Sequence, residues 1–77
     1  MDFVEELDAS GLLCPLPVLK LRKRIKYINK GQVIKMYTND PAAEIDVPHY
    51  CNETNHKILK KIKAKEKGGF TFYIMKC

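Results

Sequence analysis

The chain has 77 residues and a net charge of +5, from 14 basic and 9 acidic side chains. That length makes one domain, residues 1–77, and leaves no room for a catalytic domain beside a cofactor domain, which argues against Rossmann and barrel enzymes. No apolar run approaches a membrane span, and the acidic start Met1-Asp2-Phe3-Val4-Glu5-Glu6 is unlike a secretory signal, so the expected address is the cytoplasm.

Residues 3–8 read as a short strand, and Gly11 then allows a turn. Cys14-Pro15-Leu16-Pro17 follows, with proline placed where a helix begins and its missing N–H costs nothing. Val18, Leu21, Ile25 and Ile28 recur at helical spacing with Lys20, Lys23, Arg24 and Lys26 between them. This predicts an amphipathic helix over about residues 15–29, stopped by Asn29-Lys30-Gly31. Gln32–Thr38, rich in Val, Ile and Tyr, reads as a second strand. Asp40 and Pro41 suit the N-cap and first residue of a second helix running to about residue 54. Pro48 is expected to interrupt that helix or to start a second segment. Residues 57–65 alternate, with Ile58, Ile62 and Ala64 on one side and Lys on the other. Lys67-Gly68-Gly69 reads as a hairpin turn, and Phe70, Phe72 and Ile74 share one face of a last strand. The order β-α-β-α-β-β predicts an α+β fold: a two-layer sandwich of a four-stranded mixed sheet with two helices on one face.

Charge is segregated along the chain. Residues 1–10 hold four acids and no base, residues 20–35 seven bases and no acid, and residues 57–67 six Lys and one Glu. A basic face of this kind suits nucleic acid or an acidic protein, and a solvated lysine-rich surface is the plainer account.

Three cysteines, Cys14, Cys51 and Cys77, make neither a disulfide framework nor a C-x-x-C metal or redox motif, and no metal site is expected. Cys14 stands at the start of the first helix, where free N–H groups and the helix dipole favour a thiolate over a thiol of ordinary pKa about 8.5. Pro15 and Pro17 each remove a donor, but they stiffen the turn and hold the sulfur outward. His49 and His56 are the only histidines, and nothing local supplies Cys14 with a base or an oxyanion hole. A carrier fits better than a self-sufficient enzyme. Core filler is the expected use of Cys51, capping that of Asp46, and core packing that of most aromatics.

These residues together resemble the TusA/SirA-like sulfur carriers. The pattern runs Leu7-Asp8-Ala9-Ser10-Gly11-Leu12-Leu13-Cys14-Pro15-Leu16-Pro17, then Val18–Lys23, Asn39-Asp40-Pro41-Ala42-Ala43 and Ile45-Asp46-Val47-Pro48. Tyr50-Cys51, Asn55-His56 and Phe72–Lys76 complete it, so that it covers about residues 5–77. The resemblance implies that Cys14 accepts sulfane sulfur as a persulfide, with Gly11, Pro15 and Pro17 shaping its turn. It implies a cysteine desulfurase as donor, a downstream acceptor protein, no cofactor in the carrier, and tRNA reached only indirectly. Other branches feed molybdenum-cofactor assembly or sulfur oxidation. Two positions depart from the family's usual pattern: Leu13 where a basic residue often precedes the Cys, and Leu16 where the tRNA-thiolation branch often has an acid. Lys20, Lys23 and Arg24 are the expected docking residues on the first helix. The competing accounts are a basic nucleic-acid-binding or regulatory module with Cys14 structural, and a redox sensor pairing Cys14 with Cys51.

Overall fold

The computed structural model describes residues 2–77. Six elements follow in the expected order: β1 (Glu5–Asp8), α1 (Leu16–Ile25), β2 (Val33–Thr38), α2 (Ala43–Thr54), β3 (Lys57–Lys63) and β4 (Phe70–Met75). The strands form one mixed sheet in the order β1-β2-β4-β3. β1 runs parallel to β2, joined through α1, whereas β4 is antiparallel to both β2 and β3.

The register explains the core. Leu7 pairs with Met36 and Met36 with Phe72, while Ile34 pairs with Ile74. Alternate side chains leave a strand on opposite faces, so these five line one face. Leu21 and Ile25 of α1 and Ala43, Val47 and Cys51 of α2 pack against them in a single buried cluster. Both helices therefore cover the same face, as the periodicities require.

Four local readings are corrected. α1 ends at Ile25 rather than at Asn29. Ile28 is still buried, and the Lys76 ammonium donates to the carbonyls of Lys26 and Ile28 at 3.4 and 2.9 Å, which satisfies acceptors a longer helix would have used. α2 runs straight through Pro48. The proline forfeits one intrahelical bond, but Ala43, Val47 and Cys51 anchor the turns on both sides of it in the core. α2 is entered through Ala42 rather than Asp40, although the Asp40 carboxylate still accepts from the Ala42 N–H at 3.2 Å. In β3 the register shifts between Ile58 and Lys60. The bulge reverses the alternation: Ile58 stays opposite buried Ile74, but Lys61 comes opposite Phe72 and Ile62 opposite Thr71. Ile58 and Ile62 thus leave opposite faces, and Lys61 turns toward the helices to pair with Glu44 of α2. The many lysines of β3 sit on an edge strand, where charge discourages pairing with another chain.

The turn into β4 is packed against the end of β2. Gly69 has φ 81°, and a Cβ there would collide with the Thr38 carbonyl oxygen. The Tyr37 hydroxyl donates to the Gly68 carbonyl at 2.7 Å. This holds the β3–β4 loop beside the end of β2, from which the loop to α2 departs.

Candidate functional site around Cys14

Two loops leave the same end of the sheet, one after β1 and one after β2. Adjacent residues of the second hold the first. The Gly11 N–H donates to the Asn39 side-chain oxygen at 2.9 Å, and the Cys14 N–H to the Asp40 carboxylate at 2.7 Å. Gly11 itself has φ 77°, a left-handed conformation that costs glycine nothing. Asp40 is 6% exposed. A buried carboxylate needs its oxygens satisfied, and here one takes the Cys14 amide and the other the Ala42 amide. Asp40 thereby ties the start of α2 to the main chain of Cys14. The Cys14–Pro15 peptide is cis. Pro15 caps α1, and Pro17, buried, sits in its first turn.

The Cys14 side chain is exposed. Pro15, Val18, Asp46, His49, Tyr50 and Glu53 form with it a groove of about 240 Å³ between the two helices. The Asp46 carboxylate, facing the same groove, pushes the thiol up from its ordinary pKa; desolvation and the Asp40 charge act the same way. This reverses the lowering expected from the helix terminus. The terminus has little to offer: the first helical N–H, of Leu16, already donates to the Leu13 carbonyl at 2.8 Å, and Pro17 has none.

The expected docking residues are largely engaged. The Lys20 ammonium donates to the Asp8 carbonyl at 2.7 Å, and Arg24 pairs with Glu5 at 3.0 Å. Among the described residues, Lys23 has no ion-pair partner. Lys20 and Lys23 edge a second groove of about 250 Å³ with Leu12, Leu16 and Leu19. Leu13, Leu16 and Leu19 are exposed at 68%, 49% and 41%. Grouped exposed leucines mark a contact surface better than lysines do. Their signal was in the sequence: Leu16 and Leu19 fall off the buried stripe of α1.

The remaining candidates divide cleanly. His49 stands in the groove, its Nε2 3.0 Å from Glu53. His56 lies against Tyr50, with its Nδ1 accepting from the Cys77 N–H at 3.2 Å. Cys51 is 2% exposed, and burial pushes its thiol up to about 11. A Cys14–Cys51 disulfide would have to draw a core residue to the surface. Asp46, expected as a cap, is instead a neighbour of Cys14; its position four residues before Tyr50 and seven before Glu53 puts it on their helix face. Among the described residues, no helix is long and apolar enough to cross a membrane.

Known proteins share this fold and much of this sequence. A solved structure of a SirA-like protein from Desulfitobacterium hafniense superposes with a TM-score of 0.79 over 94% of this chain and 96% of that one. At 18% identity it speaks for the fold alone. The sulfur carrier protein TusA of Allochromatium vinosum is 36% identical over 75 residues, 97% of this chain and 95% of that protein. The Pseudomonas putida protein of the same name is 34% identical over 70 residues, 91% of this chain and 85% of that protein. The family described as Sulfurtransferase TusA matches residues 5–76, which takes in both loops, both helices and the exposed cysteine between them. By sequence and by fold alike, this chain belongs to the TusA family of sulfur carriers.

Proposed function

We propose that the protein carries sulfane sulfur as a persulfide on Cys14, accepting it from a cysteine desulfurase and passing it to an acceptor protein in the cytoplasm. The observation that supports this best is the placement of Cys14: an exposed side chain on a main chain tied at 2.7 Å to a buried carboxylate. A rigid base beneath a projecting sulfur is what docking on two successive partners demands.

The chemistry is thiol exchange. The Cys14 thiolate attacks the terminal sulfur of the donor's persulfide; a new S–S bond forms at Cys14, and the donor's own S–S bond breaks. The electron pair leaves with the donor cysteine as its thiolate, which takes up a proton equivalent to the one Cys14 gave up. No electrons are gained or lost overall, and no cofactor is needed in the carrier. Handing the sulfur on repeats the exchange with the acceptor's thiolate as nucleophile. The apolar and lysine-edged groove on α1 is the docking side for an acidic donor surface. With Leu16 in place of the acid, 2-thiouridine synthesis in tRNA is one destination among those open to such carriers.

Intact-mass analysis after incubation with a desulfurase and cysteine tests the reading. A reductant-labile gain of one sulfur atom by wild type, absent in Cys14→Ser, is expected. Generic RNA binding that is steeply salt-dependent and untouched by Cys14→Ser would instead favour a nucleic-acid-binding module.

A further inference from the structure

We infer that Asp46 is a brake on Cys14: its carboxylate keeps the thiol protonated and slow to react in the free protein, until a partner's cation meets that carboxylate in the groove. The inference rests on Cys14 being the reactive thiol.

The geometry carries it. One wall of the groove is Cys14, Pro15 and Val18; the other is the face of α2 that bears Asp46, His49, Tyr50 and Glu53. The charged groups around the sulfur can be followed element by element. From the β2–α2 loop comes Asp40, whose oxygens are occupied by two backbone amides. From α2 come Glu53 and His49, paired with each other at 3.0 Å. From α1 comes Arg22, whose charge is felt at Tyr50, farther along the groove. Asp46 remains. Glu5, Glu6, Glu44 and Glu53 each have a basic partner within 4.0 Å, and among the described residues Asp46 has none. An uncompensated anion beside a thiol favours the neutral form, and the neutral form is not the nucleophile. A lysine or arginine entering the groove would pair with Asp46 and remove that bias at the moment of docking. The free carrier is then protected from stray oxidants and electrophiles, and reactivity is tied to the right encounter.

Alkylation of Cys14 by iodoacetamide, followed against pH on the Cys14 peptide of the full chain, tests this. Asp46→Asn is expected to move the profile to lower pH and to raise the neutral-pH rate about threefold, less than the gain in thiolate alone because nucleophilicity falls with pKa. Asp46→Glu is expected to keep the wild-type profile, and high salt to move wild type toward Asp46→Asn. An Asp46→Asn profile that superimposes on wild type, or an Asp46→Glu profile shifted as far as Asp46→Asn, overturns the brake and leaves the carrier reading standing. A Cys14 that reacts at no pH overturns both.

Discussion

Cys14 stands near two grooves of almost equal size and opposite charge. The one on α1 is walled by Leu12, Leu16 and Leu19 and edged by Lys20 and Lys23. The one toward α2 holds Asp46 and Glu53. The first is apolar and basic and suits adhesion to an acidic surface. The second carries carboxylates and is lined in part by Cys14 itself, so it is placed to act on the thiol. On the proposed function, docking and reactivity fall to different helices, and the cysteine belongs to neither. It sits in the loop between β1 and α1, held by Asp40 from below. A carrier that must meet more than one partner gains from this separation, because one face can be gripped while the other is tuned.

The largest expected effect removes the sulfur from between the two faces. Cys14→Ser should abolish persulfide formation while leaving the urea midpoint within error of wild type, since the side chain is exposed. A lost fold would show that Cys14 supports structure after all. Next comes the shared base. Asp40→Ala frees two backbone amides, one of them that of Cys14, and should cost about 2–3 kcal/mol in chemical denaturation. It should also slow sulfur acceptance in the protein that remains folded, because both grooves lose their common anchor. Asp40→Asn, which retains an acceptor, should cost less.

Cys51 provides a contrast between a buried thiol and an exposed one. Its pKa is raised from 9.0 to about 11 in the folded chain, so folding favours the protonated form. That contribution is complete below the unfolded value and is lost as pH rises toward the folded one. Wild type should therefore lose up to about 2 kcal/mol between those limits. Cys51→Ala, less stable at neutral pH, should be flatter there, as denaturation midpoints against pH would show. The smallest effect belongs to the docking side. Lys23→Glu should slow association with an acidic donor by about two- to threefold at low salt and hardly at all at high salt. An equal effect at both would mean that Lys23 acts by contact rather than by steering.

Much of this was legible in the chain because it rests on periodicity. The stripe Val18, Leu21, Ile25 and the alternation Phe70, Phe72, Ile74 fix which sides face inward, and a two-layer sandwich follows. The Cys-Pro-x-Pro turn announces itself by its unusual chemistry. What stayed hidden depends on relations across the fold. The bulge after Ile58 leaves no mark in a run of Lys and Ile, yet it turns Lys61 and Ile62 to opposite faces. Pro48 reads as a breaker because local propensity ignores the core contacts of Val47 and Cys51. The raised pKa of Cys14 comes from Asp46, thirty-two positions away, and only the packing of α2 against α1 brings the two together.

The most direct test of the central claim is to locate the sulfur. Wild-type protein is loaded by a cysteine desulfurase, alkylated and digested, and the Cys14, Cys51 and Cys77 peptides are compared by mass spectrometry. The extra sulfur is expected on the Cys14 peptide, with Cys51 unmodified in the core. Sulfur carried on Cys77 or Cys51 while Cys14 stays a plain thiol would contradict it.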